Sequence, residues 1–142
     1  MKISFSLLLT VFICISLFAT GQIKKNKYAI NDKTFTIQLK LTSGERKGWQ
    51  WAKDEISFKA GMLRSKVMSK KEEFPSAKCI FTNDSGSANT ISFEANHKNT
   101  GVSNIKWQGK VEGDKIEGTA ELTNIRGTFI YSFSGTWKGK KK

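Results

Sequence analysis

The sequence predicts an all-β fold: an eight-stranded antiparallel up-and-down (meander) β-barrel, preceded by a signal peptide. Apolar residues recur at every second position through most of the chain, Gly and Asn separate these runs at hairpin spacing, and an apolar segment stands at the N-terminus. Alternation is typical of strands with one buried face, whereas a helix would repeat about every 3.6 residues. A two-sheet β-sandwich would show the same alternation and is the alternative fold.

The N-terminal segment has the order of a signal peptide. Lys2 precedes an apolar run over residues 3–19, and Ala19-Thr20-Gly21 provides a cleavage motif of small residues. Cleavage after Gly21 predicts an exported protein, either periplasmic or extracellular. An uncleaved anchor is the alternative, although the run falls short of a comfortable bilayer span of about 20 residues.

The predicted domain organisation is simple. Residues 1–21 are the signal peptide, 22–33 a polar lead-in, 34–139 a single β-barrel domain and 140–142 a basic tail. The exported part, residues 22–142, is long enough for one domain and too short for two. With Cys14 in the signal peptide, Cys79 is the only thiol left, so we expect no intramolecular disulfide. Cys79 lies in an apolar run, which predicts a small buried hydrophobic side chain. The alternative is that Cys79 links two chains through a disulfide.

The first half of the domain is punctuated by turns. Phe35 to Leu41 shows strict alternation, and Ile56 with Phe58 repeats it after the loop that contains Gly48. Ala60-Gly61 favours a reversal into the next run, and Pro75 lies outside every predicted strand, where its missing N–H does no harm. The predicted strands of this half are 34–43, 54–60, 62–69 and 77–83.

The second half continues the meander. The segment 83–87 and the dipeptide Gly113-Asp114 place Gly, Asn or Asp between alternating runs, as hairpin turns require. The predicted strands are 89–97, 103–112, 115–124 and 127–138. The last is long and aromatic-rich, which makes it a poor exposed edge, and closure into a barrel removes both edges. The predicted inward residues are Phe35, Ile37, Leu39, Leu41, Ile56, Phe58, Phe81, Ile91, Phe93, Ile105, Trp107, Ile116, Leu122, Phe129, Tyr131, Phe133 and Trp137.

The chain is strongly basic, with a formal net charge of +12. Such a charge attracts anionic polymers, membrane faces and acidic partners without regard to their sequence. We expect it to be spread thinly, because several lysines alternate with apolar residues and project outward singly: Lys40, Lys59, Lys66, Lys106, Lys110 and Lys138. No nucleic-acid partner is expected, since single-strand binders stack bases on outward aromatics, and here most aromatics share the inward phase.

The search for catalytic residues yields little. His97 is the only histidine and stands beside Asn96, Lys98 and Asn99 in what reads as a loop, so we expect a solvated side chain. No Gly-x-Ser-x-Gly turn, phosphate-binding loop or close-spaced set of metal ligands occurs. The prediction is therefore a protein that is not an enzyme and has no metal or other cofactor.

Two segments carry a family resemblance. The hairpin over residues 107–118 and the closing Gly135-Thr136-Trp137, set in an exported domain of eight meandering strands, resemble the calycin group of lipocalins, fatty-acid-binding proteins and avidins. The likeness is one of architecture, because lipocalins carry Gly-x-Trp near the first strand and this chain carries it in the last. It implies a ligand-holding barrel and assigns no binding residues.

The aromatic residues give the functional prediction. Trp49 and Trp51 would point to one side of an extended loop, where they could close a barrel mouth, stack on a sugar, contact a membrane or partner, or cover the end of the core. Residues 66–75, with Met68 and Phe74, could form a basic, apolar portal. The predicted function is an exported non-enzymatic protein that binds a small apolar or amphipathic ligand, at candidate residues Trp49, Trp51, Met68, Phe74, Trp107, Tyr131 and Trp137. The alternative is a filled basic barrel that binds an anionic envelope polysaccharide, an acidic lipid or a protein partner.

Overall fold

The computed structural model describes residues 30–45, 47–48, 50–71, 73–83, 89–99 and 101–139. The predicted signal peptide, most of the polar lead-in, Trp49 and the basic tail at 140–142 lie outside the described residues. Within these ranges no helix has the length and apolar character needed to cross a membrane.

The described chain forms a closed antiparallel barrel of eight strands in sequential order, which confirms the meander barrel over the sandwich. Closure is made by β1, which pairs with β2 on one side and with β8 on the other. The strands are β1 (Thr34–Ser43), β2 (Lys53–Lys59), β3 (Met62–Ser65), β4 (Ala77–Asn83), β5 (Thr90–Lys98), β6 (Asn104–Glu112), β7 (Lys115–Asn124) and β8 (Gly127–Trp137).

The inward residues are those that the alternation predicts. Every one of them is buried except Leu41, Phe81 and Trp137, which are half-buried and pack against the core. Cys79 is also buried, and loss of solvent raises the pKa of its thiol to about 12.

Small inward residues make room for large rings. Trp107 stands between Ala95 and Ala120 on the neighbouring strands. A Cβ added at Gly109 would lie 2.8 Å from the Phe93 ring. The space beside these small residues is therefore occupied by aromatic side chains of the core.

The predicted strand over 62–69 is wrong in its second half. The strand ends at Ser65, and a short helix, α1 (Lys66–Lys71), follows. Ser65 caps this helix, since its Oγ accepts the Met68 backbone N–H at 3.0 Å, while Asp54 Oδ1 accepts the Val67 N–H at 3.0 Å. Asp54 is distant in sequence, so local alternation could not reveal the change of conformation.

One end of the barrel is covered by three features: Trp51, α1 and Phe74. We call it the helix end. Trp51, Met68 and Phe74 are each at most 2% exposed. The chain after α1 is held against it, because the Phe74 N–H donates to the Met68 carbonyl at 3.3 Å. From the sequence we expected these side chains at the entrance of a ligand-binding barrel. In the structure they are buried and close this end.

Candidate functional site

An aromatic cluster fills the barrel beneath the helix end. The Trp51 ring meets Trp107 edge to face at a centroid distance of 5.3 Å and Tyr131 at 5.2 Å. Trp107 in turn contacts Phe133 at 5.4 Å. Edge-to-face pairs of this kind stabilise a core by about 0.5–1.5 kcal/mol each beyond the area they bury.

The structure therefore brings together some of the predicted ligand-binding residues and not others. Trp51, Trp107 and Tyr131 are in contact, and Met68 and Phe74 close the same end. Trp137 lies elsewhere: it pairs with Phe35 at the start of β1 and stacks under Lys33, whose Nζ is 4.8 Å from the ring centroid. Whether any of these residues binds a ligand stays a prediction.

Asp54 is the buried anchor of the helix end. Its side chain points inward from β2 and the residue is 4% exposed. Oδ2 accepts hydrogen bonds from Trp51 Nε1 at 3.2 Å and from the Ser65 hydroxyl, and Oδ1 accepts the backbone N–H of Glu55 at 2.7 Å and that of Val67. One carboxyl group thus joins Trp51 to the start of α1.

The environment of Asp54 shifts its ionisation. Burial raises the pKa of the carboxyl above its ordinary value, because the loss of solvent outweighs the hydrogen bonds that favour the charged form. Sequence reasoning missed this residue, although Asp54 shares the inward phase of Ile56 and Phe58.

The prediction of a solvated loop histidine at 97 is wrong. His97 lies in β5, where Phe93, Ala95 and His97 share the inward phase, and it is 1% exposed. Its Nδ1 is 2.7 Å from the Pro75 carbonyl oxygen, and its ring lies between Phe74 and Trp107, with both centroids at 6.4 Å. Continuing the strand alternation by two residues beyond Ala95 would have predicted this burial.

Acid should weaken the fold through His97. Burial lowers the pKa of this imidazole below its ordinary value of 6.5, because the desolvation of the charged form outweighs the hydrogen bond to Pro75. Its stabilising contribution is therefore present above pH 6.5 and is lost as the pH falls from there through the folded-state pKa.

We therefore expect the melting temperature to fall between neutral and mildly acidic pH. Asp54, whose pKa is raised by burial, acts with the opposite sign, because the folded state then binds its proton more readily than the unfolded state does. His97→Gln should flatten the dependence, and Lys98→Gln on the exposed side of the same strand is the control. An equal slope in the wild-type protein and in His97→Gln would contradict this account.

Charge is distributed unevenly over the outer surface. The exposed charged side chains of β2, β3, α1 and β4 are all cationic, with the half-buried Glu55 between them, and we call this set the basic face: Lys53, Lys59, Arg64, Lys66, Lys70, Lys71 and Lys78. On β5 to β7 the signs are mixed, with ion pairs of 3.7 Å between Lys106 and Glu94 and of 3.2 Å between Lys110 and Glu117. The expectation of a thinly spread charge does not hold for the basic face.

A groove of about 300 Å³ lies on the basic face, lined by Thr34, Glu55, Ser57, Arg64, Lys66 and Lys70. The Glu55 carboxylate forms ion pairs with Lys66 Nζ at 3.0 Å and with Lys138 Nζ at 2.7 Å. These lysines lower the pKa of Glu55 below its ordinary value. Arg64 and Lys70 have no ion pair with a described carboxylate. The groove therefore presents two uncompensated cations beside two hydroxyl groups.

These features define a class of protein: a small antiparallel meander barrel with an aromatic interior, one capped end and one basic face. A scan with family models, a search of curated proteins and a search of solved structures each found no match to this chain. Among the described residues no cluster of three or more His, Cys, Asp or Glu side chains could hold a metal ion.

Proposed function

We propose that this is an exported, non-enzymatic, calycin-like binding protein whose basic face holds an anionic polymer or surface. The uneven charge carries the proposal, because cations gathered on one face create a local positive potential that a dispersed charge of equal size does not. The target would bear carboxylate, sulfate or phosphate groups, as envelope polysaccharides and acidic lipids do.

The groove supports this choice of chemistry. A guanidinium such as that of Arg64 forms paired hydrogen bonds with planar or tetrahedral oxyanions, and Lys70 adds a mobile positive charge beside it. Thr34 and Ser57 offer hydroxyl groups to the same ligand. Ile80, which is 66% exposed on β4, adds an apolar contact next to the cations.

A second candidate function is favoured by the aromatic cluster beneath the helix end. There a small apolar or amphipathic ligand would replace the contacts that Trp51 makes with Trp107 and Tyr131. Entry requires Trp51 and Phe74 to move, because both are buried. Saturable quenching of tryptophan emission by a lipid-like probe, abolished in Trp51→Ala, would support this candidate, and the absence of any response would contradict it.

Export belongs to the proposal as well. It rests on the order of charged, apolar and small residues over 1–21. N-terminal sequencing of the protein recovered outside the cytoplasm should begin at Gln22. Recovery of the whole chain from the cytoplasm would contradict export.

The main test compares two triple variants with the same loss of net charge. Arg64→Gln, Lys70→Gln and Lys78→Gln together remove cations from the basic face. Lys40→Gln, Lys98→Gln and Lys115→Gln remove exposed cations elsewhere. We expect the first variant to bind at least about tenfold more weakly, or roughly 1.4 kcal/mol, and the second to bind like the wild-type protein.

Binding is measured to a sulfated polysaccharide and, separately, to phosphatidylglycerol vesicles, each over a salt series. Retention that falls steeply with salt on either target supports the proposal, and the stronger target identifies the source of the anion. Salt-insensitive binding, no binding to either target, or equal losses in the two triple variants would contradict it.

A further inference from the structure

Two buried polar atoms near the helix end have no hydrogen-bond partner among the described residues: His97 Nε2 and Trp107 Nε1. His97 is 1% exposed and Trp107 is 0% exposed. An unsatisfied buried polar group costs about 1–3 kcal/mol, so native proteins rarely leave such groups without a partner.

The chemistry of the two atoms is complementary. The Pro75 carbonyl can only accept a hydrogen bond, so His97 Nδ1 must carry the proton that lies between them at 2.7 Å. In the neutral imidazole Nε2 is then an acceptor. The indole Nε1–H of Trp107 can only donate. The pair therefore offers one acceptor and one donor inside the barrel.

We propose that His97 Nε2 and Trp107 Nε1 form an internal binding site for one neutral hydroxyl group. The hydroxyl donates its proton to Nε2 and accepts the indole N–H through its oxygen. The two rings are near neighbours, with centroids 6.4 Å apart. One oxygen that makes a hydrogen bond of about 2.9 Å to each nitrogen can join two nitrogens that lie up to about 5.8 Å apart. This site lies inside the barrel and is independent of the basic face.

Other ligand chemistries fit less well. A carboxylate has no proton to donate to Nε2, and an ammonium group has no lone pair to accept the indole N–H. A phosphate would bring an unpaired negative charge into an apolar interior, which is costly. An indole N–H is not a metal ligand, so a metal ion would leave Trp107 unsatisfied. The site fits a neutral group that both donates and accepts, and the smallest of these is a hydroxyl group, supplied by water or by the alcohol of a small ligand.

The surroundings limit the size of the occupant. The His97 ring packs against Phe74. The Trp107 ring packs against Trp51 and Phe133, and Ala95 and Ala120 flank Trp107 on the adjacent strands. All of these neighbours are apolar apart from the Trp51 N–H, which is already bonded to Asp54. A ligand alcohol would therefore need an apolar body, whereas a water molecule needs room for one oxygen only.

The site is tested by NMR on the ¹⁵N-labelled protein. We expect the Trp107 indole proton to show a cross-peak to a long-lived water or to a ligand hydroxyl. The ¹⁵N shift of His97 Nε2 should be that of an unprotonated, hydrogen-bonded nitrogen. His97→Phe should remove the cross-peak and shift the Trp107 indole resonance, while the Trp51 indole resonance, whose N–H is bonded to Asp54, stays in place.

Native mass spectrometry distinguishes water from a ligand alcohol as the source of the hydroxyl group. A mass above that of the chain identifies a bound alcohol, and the chain mass alone together with the cross-peak identifies water; either supports the site. A protonated Nε2, or no cross-peak at the Trp107 indole proton in the wild-type protein, overturns it. These two readings use the unmutated protein, so they hold even if His97→Phe does not fold.

Discussion

Replacing Asp54 with alanine should lower the free energy of unfolding by on the order of 4 kcal/mol or more. The substitution deprives four donors of their acceptor: Trp51 Nε1, the Ser65 hydroxyl and the backbone N–H groups of Glu55 and Val67. Each buried donor left unsatisfied costs about 1–3 kcal/mol, and a domain of this size has a total stability of only about 5–15 kcal/mol. Urea unfolding followed by tryptophan emission measures the change.

The neighbouring Glu55→Ala variant is the matched control. Glu55 makes two surface ion pairs, with Lys66 and Lys138, so its loss should cost no more than about 1 kcal/mol. Equal effects of the two substitutions would show that Asp54 does not anchor the helix end.

Under conditions in which the Asp54→Ala variant folds, it should also bind anionic polymer more weakly at the basic face. Asp54 accepts the Val67 N–H at the start of α1, and this helix carries Lys66 and Lys70. Loss of the bond should loosen the helix and weaken binding to anionic polymer. A folded Asp54→Ala variant with full affinity would separate the anchor from the binding face.

Gly118→Ala is expected to cost on the order of 3 kcal/mol or more, or to prevent folding. An added Cβ would lie 2.1 Å from the Gln108 carbonyl oxygen, 2.6 Å from Gly109 Cα and 2.9 Å from the Phe133 ring. Two of these contacts are with the backbone of β6, which cannot retreat without breaking its ladder with β7. Overpacking a rigid site costs about 1–3 kcal/mol even where side chains can adjust.

Thr119→Ala is the control for the glycine. Thr119 is the next residue on β7 and is exposed on the outside, so its replacement should change stability by about 1 kcal/mol or less. Thermal unfolding of both variants measures the difference. A Gly118→Ala variant as stable as Thr119→Ala would mean that β6 and β7 do not approach as closely as described.

The strands could be predicted because their cause is local. Each inward residue of β1, from Phe35 to Leu39, is followed by an exposed polar one, and the boundaries of β1 and β7 match the predicted ranges. The same rule would have placed His97 inside, since it continues the phase of Phe93 and Ala95. Its polar neighbours at 96, 98 and 99 led to the prediction of a loop.

The candidate site was predictable only in part. Trp51, Met68, Phe74, Trp107 and Tyr131 were recognised as important aromatic and apolar residues, yet their mutual contacts depend on how loops fold over the barrel end. The basic face was not predicted, because its cations come from four elements that become neighbours only when β2, β3 and β4 pair and residues 66–71 form a helix beside them.

The sequence by itself determined that the domain is all-β, that its strands follow one another as a meander, and which residues face the core, because side chains alternate between the two sides of a strand. Only the tertiary structure decided that residues 66–71 are helical, that Asp54 is buried, and that His97 and Trp107 meet. Each of these depends on a partner far away in the chain, such as Asp54 for Val67 or Pro75 for His97. A two-residue period specifies which side a residue faces, and closure of the barrel selects what it meets there.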